Sequence, residues 1–333
     1  MTPTEIASAI RAGGYIDMMR NIHADDLSAF YEAFPLPDIE DTFGFELEFF
    51  ANTSRSNVAN KVRLNGVMCQ ESSYNQGYTG NSYIVKSDAS LRLSSSEAEF
   101  LTRVGYLTEP DSYHRCELVS PILDNSSIDT ISRVMSVIGQ RANPSTQRTS
   151  IPLAYFNQTC SLHVHMSVEN YTKAQKKSIF YTYAAIEEEL KDIIADKRIY
   201  TDHGRKYAKS VQGMTYEAAM EYGKRLSLRV NSSVTNENGE PITFEYRKMN
   251  ATRSSWVLKN WIYILAAIHR YGAANTVRLN SSVNLYNVIK SPILQDFFHK
   301  RRSFMGELKD SRTPKASERK PKRPRRITVG SLL

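Results

Sequence analysis

Three widely separated segments of the chain alternate between apolar and polar residues, which is the pattern of a β-strand with one face in the core. These segments are residues 42–50, 161–168 and 242–248. In the first, every second residue is apolar, whereas Glu46 and Glu48 share the opposite face. We predict a strand at each segment, and two further strands at residues 83–87 and 115–119.

Longer segments carry apolar residues three or four positions apart, which is the spacing of a helix face. The predicted helices are residues 128–138, 173–194 and 254–272, with Gly272 ending the last of them. Residues 1–37 also show helical spacing before they meet Pro35 and Pro37. We expect residues 1–37 to form an N-terminal helical appendage to a main domain of residues 38–299.

Positive charge is concentrated at the C-terminal end. The chain has a formal net charge of +8, yet residues 300–333 hold 12 Lys and Arg against 3 Asp and Glu. The remaining residues are close to neutral. Because the basic, proline-broken stretch from 315 to 326 lacks large apolar side chains, we predict a flexible basic tail. Two interpretations stay open: a merely solvated tail, or a tail that binds nucleic acid or another polyanion.

The longest apolar run, residues 261–268, is far shorter than the roughly 20 residues of a membrane-spanning helix. The first 20 residues lack the unbroken apolar stretch of a secretory signal, so we expect a cytoplasmic protein without membrane contact. Cys69, Cys116 and Cys160 are odd in number and widely spaced. They are typical of reduced, isolated thiols, and no cysteine pair is spaced to hold zinc.

The polar faces of the three alternating strands each carry a close pair of ionisable residues. The pairs are Glu46 and Glu48, His163 and His165, and Glu245 and Arg247. A solvent-exposed outer face would explain any one pair alone. If all three faces line one side of one sheet, however, they form a cation site, because carboxylates and imidazoles bind metals and a guanidinium binds phosphate.

The ligand types favour one cation over another. An H-x-H strand suits zinc, and a zinc hydrolase is a competing interpretation, but several carboxylates favour magnesium or manganese. Magnesium beside arginine is typical of phosphoryl transfer, which indicates a nucleotide. The common nucleotide loops are missing: there is no GxGxxG, and residues 80–87 resemble a Walker loop at Lys86 and Ser87 but have Val85 at the required glycine position.

Seven motifs occur in a fixed order between residues 40 and 275. They are GFELEF at 44–49, SDASL around Asp88, CELVSP at 116–121, SLHVHMS at 161–167, Arg205 with Tyr207, LRVN at 228–231 and FEYR at 244–247. In these motifs the chain resembles the amidoligases of the carboxylate-amine ligase superfamily. One departure is Ser161, since the family usually has glycine between the cysteine and the Leu-His-Val-His sequence.

The resemblance implies an α+β fold with a curved, mainly antiparallel sheet backed by helices, as in the catalytic domain of glutamine synthetase. It also implies an ATP-dependent ligase that converts a carboxylate to an acyl phosphate, which an amine attacks to give an amide. By this analogy one magnesium, or manganese, would be bound by Glu46, His163 and Glu245. A second ion would be bound by Glu48 and Glu117.

The same analogy gives roles to residues around the ions. His165 would lie beside the ATP phosphates, and Arg247 would stabilise the transferring phosphoryl group. Arg205 and Arg225 are further candidates for binding phosphate or carboxylate. Asp88 would accept the amine; the alternative is an aspartate that only bonds its own turn.

Two other functions remain open. A guanidino-kinase-like phosphotransferase would use the same fold and stop at phosphorylation. A nucleic-acid-binding protein would use the basic tail and carry an inactive ligase site. The complete ligand set argues against an inactive site, since drift would be expected to remove at least one ligand. The sequence does not name the carboxylate or the amine.

Overall fold

A computed structural model describes residues 36, 38–72, 80–103, 105–139, 153–157, 159–194, 208–223, 228–232 and 234–312. The helical appendage expected at residues 1–37 lies almost wholly outside the described residues. So do residues 313–333, which include the proline-broken basic stretch. Its polyanion partner therefore stays a prediction.

Eight strands and eight α-helices occupy the described residues. In chain order they are β1 (Phe43–Ala51), α1 (Arg55–Leu64), β2 (Cys69–Glu71), β3 (Tyr83–Lys86), α2 (Ser95–Arg103), β4 (His114–Val119), α3 (Ile128–Ile138), β5 (Ala154–Tyr155), β6 (Leu162–Ser167), α4 (Lys173–Leu190), α5 (Tyr216–Gly223), β7 (Val230–Asn231), β8 (Thr243–Tyr246), α6 (Ser255–Ala274), α7 (Leu285–Val288) and α8 (Pro292–Arg312). The five expected strands are confirmed as β1, β3, β4, β6 and β8. The three expected helices of the main domain are confirmed as α3, α4 and α6.

All eight strands belong to one open sheet. Its order is β2-β3-β4-β1-β6-β8-β7, and β5 pairs with one end of β1. Every pairing is antiparallel except that of β2 with β3. The protein is therefore α+β with a mixed sheet, and the expected predominance of antiparallel pairs is confirmed.

The alternating pattern divides the sheet into an apolar and a polar face. Phe45, Leu47, Val164 and Phe244 are buried and share one hydrophobic core with residues of α3, α4 and α6. Because successive strand residues point to opposite faces, this packing turns the intervening polar residues away from the helices. The helices thus fix which way the site residues point.

Helix α8 continues past residue 300, where we expected the basic tail to begin. Arg301 and Met305 are buried. The Arg301 Nε donates a hydrogen bond of 2.8 Å to the carbonyl oxygen of Ile193. The part of the tail that falls within the described residues is therefore helical, and at these two positions it packs against the main domain.

None of the helices in the described part of the chain is both long enough and apolar enough to span a membrane.

Helices α4 and α6 lie very close to each other at Gly272. A Cβ atom on Gly272 would lie 2.5 Å from the Cα of Ile179 and 2.8 Å from its backbone nitrogen. The sequence placed this glycine at the end of the helix, but α6 continues to Ala274. The glycine is needed for close packing of the two helices and does not act as a helix stop.

We expect Gly272→Ala to lower the free energy of unfolding, because the new methyl group meets backbone atoms that cannot move aside. Overpacking of this kind costs about 1–3 kcal/mol or more, which urea denaturation would measure. Gly306→Ala is the matched control: no atom lies within 4 Å of its added Cβ, and the glycine is also in a helix. Equal stability of the two variants would contradict the close approach.

The three cysteines lie in the interior. Cys69, Cys116 and Cys160 are buried and form no disulfide. Burial raises the pKa of the Cys69 and Cys116 thiols to about 12. Since the thiolate is the reactive form, these residues pack in the core and do not supply a nucleophile.

We therefore expect the native protein at pH 8 to react slowly with Ellman's reagent at all three cysteines. In denaturant, three thiols should react at once. A single fast thiol in the native protein would show that one cysteine is accessible and ionised. Replacing Cys116, which directly precedes the site residue Glu117, by alanine would then show whether Cys116 is the fast thiol.

Candidate metal centre

The sheet order places the three polar strand faces side by side. Strand β1 pairs with β6, and β6 pairs with β8. In this register Glu46 lies opposite His163, and His165 lies opposite Glu245. The expected convergence of the E-x-E, H-x-H and E-x-R strands on one face is thus present.

Glu46, His163 and Glu245 form the centre of this face. Each offers one ligand atom, and these atoms all lie within 4.8 Å of one another. The Nδ1 of His163 is 3.1 Å from Glu46 Oε2 and 3.5 Å from Glu245 Oε1. Within the part of the chain that the structure describes, this is the one group of three such side chains with metal-ligand spacing.

Both carboxylates of this triad are held in their charged form. Burial raises the pKa of Glu46, but hydrogen bonds from His163 and His165 outweigh it and bring the pKa well below its usual range. Burial likewise raises the pKa of Glu245. Arg247 and the two imidazoles lower it by more than burial raises it, so the net shift is downward. Ionised carboxylates are what a hard cation needs.

His165 lies next to the triad, with its Nε2 3.5 Å from Glu46 Oε1. Burial lowers the pKa of His165, whereas the hydrogen bond and charge of Glu46 raise it, and the net shift is upward. The imidazole therefore gains a proton more readily than a free histidine does. A protonated ring at this position attracts anions such as phosphate.

A second layer of residues orients the ligands. Arg247 donates a hydrogen bond to Glu245 Oε1, and the Asn231 side-chain amide donates one of 3.3 Å to Glu245 Oε2. Ser161 Oγ donates its single proton to Glu48 Oε2, and it lies 2.8 Å from His163 Nε2. Since that proton is already used, the Ser161 oxygen can only accept from His163 Nε2–H. Nδ1 then faces Glu46 and Glu245: without a cation it can donate a hydrogen bond to Glu46, and a cation bound at the triad would instead meet its lone pair.

The other two expected metal ligands have different partners. Glu48 and Glu117 lie directly opposite each other on β1 and β4. Glu48 Oε2 also accepts a 2.7 Å hydrogen bond from the Ser161 backbone nitrogen. Glu117 Oε2 lies 3.0 Å from the Nζ of Lys86. Burial and the nearby Glu46 carboxylate raise the pKa of Glu117 to about 9, although Lys86 opposes this shift.

Three residues in this arrangement were not predicted as part of the site: Lys86, Ser161 and Asn231. From the sequence, Lys86 was recognised only as part of a Walker-like loop. Nothing in the sequence indicated that β3 pairs with β4, which is what brings Lys86 opposite Glu117. Ser161 was singled out only as a departure from glycine.

The remaining predicted residues are only partly placed. Asp88 accepts hydrogen bonds of 2.7 and 2.8 Å from the backbone nitrogen and hydroxyl of Ser90, which is the local turn that the sequence offered as the alternative. Its role toward an amine stays a prediction. Arg205 and Arg225 lie outside the described residues.

A cavity of about 390 Å³ adjoins the triad. Glu46 and His165 border it on the polar side. Its apolar lining includes Val119, Ile122, Val234 and Ile242. Gly44 lines it as well, and a Cβ there would lie only 3.3 Å from Ser120 Oγ. The cavity thus joins an apolar compartment to the charged centre of the sheet.

The donor set fits one hard divalent ion. Two carboxylates and one imidazole leave room for water and substrate oxygens in an octahedral shell, as magnesium or manganese requires. The adjacent cationic groups, Arg247 and His165, suit an anionic second ligand. The site can therefore hold a metal ion together with a phosphate or carboxylate.

Comparison with protein families agrees with this geometry. The model of a family described as "Putative amidoligase enzyme" matches residues 40–269, a range that contains every site residue discussed above. A search of curated proteins found no match to the chain. Since the matched range covers more than half of its residues, the chain belongs to this amidoligase family.

Proposed function

We propose that this protein is an ATP-dependent ligase that joins a carboxylate to an amine through an acyl phosphate. The observation that carries the proposal is the triad of Glu46, His163 and Glu245, with Arg247 bonded to one of its members. A metal site beside a guanidinium is the arrangement that phosphoryl transfer requires. Family membership supports a ligase outcome over other phosphoryl transfers.

Magnesium, with manganese as the alternative, would be held by the three triad residues. Bound there, the ion would neutralise charge on phosphate oxygens during transfer. Glu46 and Glu245 supply the negative ligands, and Ser161 keeps the His163 Nδ1 turned toward them. Asn231 and Arg247 hold Glu245 in place by bonds to both of its oxygens.

The cavity supports ATP as the phosphoryl donor. Its apolar compartment, with Val119, Val234 and Ile242, suits the flat base of a nucleotide. Its polar border at Glu46 and His165 leads directly to the triad. A nucleotide with its base in this cavity would therefore present its phosphates to the metal and to the His165 ring.

The chain's own residues then have distinct tasks. Arg247 disperses charge on the transferring phosphoryl group, with Arg205 and Arg225 proposed as further phosphate or carboxylate ligands. The γ-phosphoryl group would pass from ATP to a carboxylate oxygen of the substrate, with ADP as the leaving group. The amine would then attack the carbonyl carbon of the acyl phosphate and expel inorganic phosphate. Asp88 is proposed to take up the amine, whose proton must leave before attack.

The fold and cellular setting are proposed in the same way. An open, mainly antiparallel sheet with these three strands adjacent supports a glutamine synthetase-like catalytic domain. The cytoplasmic location expected from the sequence stays a prediction. A phosphotransferase that stops at phosphorylation would use the same triad, and the second experiment below separates it from a ligase.

We expect Glu46→Gln to reduce magnesium-dependent ADP formation by at least about 100-fold, because it removes a charged ligand while keeping the side-chain shape. The measurement is a coupled ADP assay, with circular dichroism to check the fold. Glu99→Gln, at an exposed position on α2, is the matched control and should leave turnover unchanged. Undiminished turnover in Glu46→Gln would remove the metal assignment.

A ligase should yield a hydroxamate when hydroxylamine replaces the amine, because hydroxylamine attacks the acyl phosphate and releases phosphate. The assay needs ATP, magnesium and candidate carboxylates, with products identified by mass spectrometry. A guanidino kinase would instead form a phosphoramidate, which gives no hydroxamate. ATP turnover without hydroxamate, once the accepted substrate is known, would favour the kinase.

A further inference from the structure

The Glu48–Glu117 half of the site is already supplied with hydrogen-bond donors and positive charge. Glu48 Oε2 is bonded by both the backbone nitrogen and the hydroxyl of Ser161, and Glu48 Oε1 lies 3.7 Å from His163 Nε2. Glu117 Oε2 is paired with the Lys86 ammonium. Neither carboxylate joins a group of three metal-ligand side chains among the described residues.

The position of Lys86 is determined by the sheet. Strand β3 pairs with β4 in a register that puts Lys86 directly opposite Glu117. Tyr83 and Val85 on the same strand are buried in the core, so the alternation turns Lys86 to the polar face. Its side chain is 26% exposed, so pairing with Glu117 does not bury it completely.

The surroundings of Lys86 are anionic on more than one side. Besides Glu117, the carboxylates of Glu46 and Asp88 lie close enough to attract its charge. An ammonium group has three donors, and the ion pair with Glu117 uses at least one of them. Lys86 can therefore contact Glu117 and a substrate oxygen at the same time.

We infer that the Lys86 ammonium takes the place of a second divalent ion at Glu48 and Glu117, so that the protein binds one ion, at the triad. Ser161 contributes by donating to Glu48 Oε2 from both its hydroxyl and its backbone nitrogen. The catalytic consequence rests on the proposed function: Lys86 would bind the carboxylate oxygens of the substrate with a permanent charge.

Counting bound manganese tests this inference without ATP or substrate. Mn²⁺ binding at pH 8 would be followed by equilibrium dialysis and by electron paramagnetic resonance. We expect one tight ion in the natural protein and in Lys86→Arg, which keeps the charge. In Lys86→Met we expect two ions, because removing the ammonium leaves Glu117 and Glu48 able to bind a cation.

Two further variants make the count decisive. Glu117→Gln in the natural background should leave the count at one, whereas a protein that uses a second ion would drop from two to one. Glu46→Gln should abolish the tight triad site. Two ions in the natural protein, or one in a folded Lys86→Met variant, would overturn the inference. Absence of ATP turnover would count against the proposed function alone.

Discussion

The pairing of β1 with β6 is the constraint on which the site depends. One register sets Leu47 opposite Leu162 in the core and Glu46 opposite His163 on the other face. A slip of one residue would exchange the two faces, burying charge against the helices and exposing phenylalanine and leucine. The packing of the core therefore fixes which residues of the two strands face each other as ligands.

Bringing several carboxylates together on one buried face costs free energy, and pairing of each carboxylate with a nearby donor or cation reduces that cost. Four glutamates from three strands lie near one another, and like charges in a partly dry site repel. Imidazoles and Arg247 offset two of these charges, Ser161 bonds a third and Lys86 pairs with the fourth. Burial and the neighbouring Glu46 carboxylate still raise the pKa of Glu117, although Lys86 opposes the shift. A cation bound at the triad would offset the charge of Glu46 and so reduce its repulsion of Glu117.

Local patterns predicted much of the architecture, and long-range pairing accounts for most of what they missed. Strict alternation located the strands that carry Glu46, His163 and Glu245, because one buried face leaves a period of two in the sequence. Helix α1 was not predicted, because its polar segment has few apolar positions. In the structure the Asn57 nitrogen donates a hydrogen bond to Ser54 Oγ, which caps the start of the helix. Lys86 could not be assigned, because its role comes from the neighbour of β3 and not from β3 itself.

The two halves of the site differ in a way that matters for amide formation. The triad would leave coordination positions open around a bound divalent ion, which suits a phosphate chain that must arrive, react and leave. The opposite half offers a covalently attached ammonium, which remains in place when the nucleotide departs. A carboxylate substrate held by Lys86 would therefore meet the γ-phosphoryl group between two positive charges. One is the divalent ion, which can leave with the nucleotide, and the other is the Lys86 ammonium, which cannot. In the proposed reaction, an acyl phosphate held by the divalent ion at one end and by Lys86 at the other would be protected from water until the amine attacks.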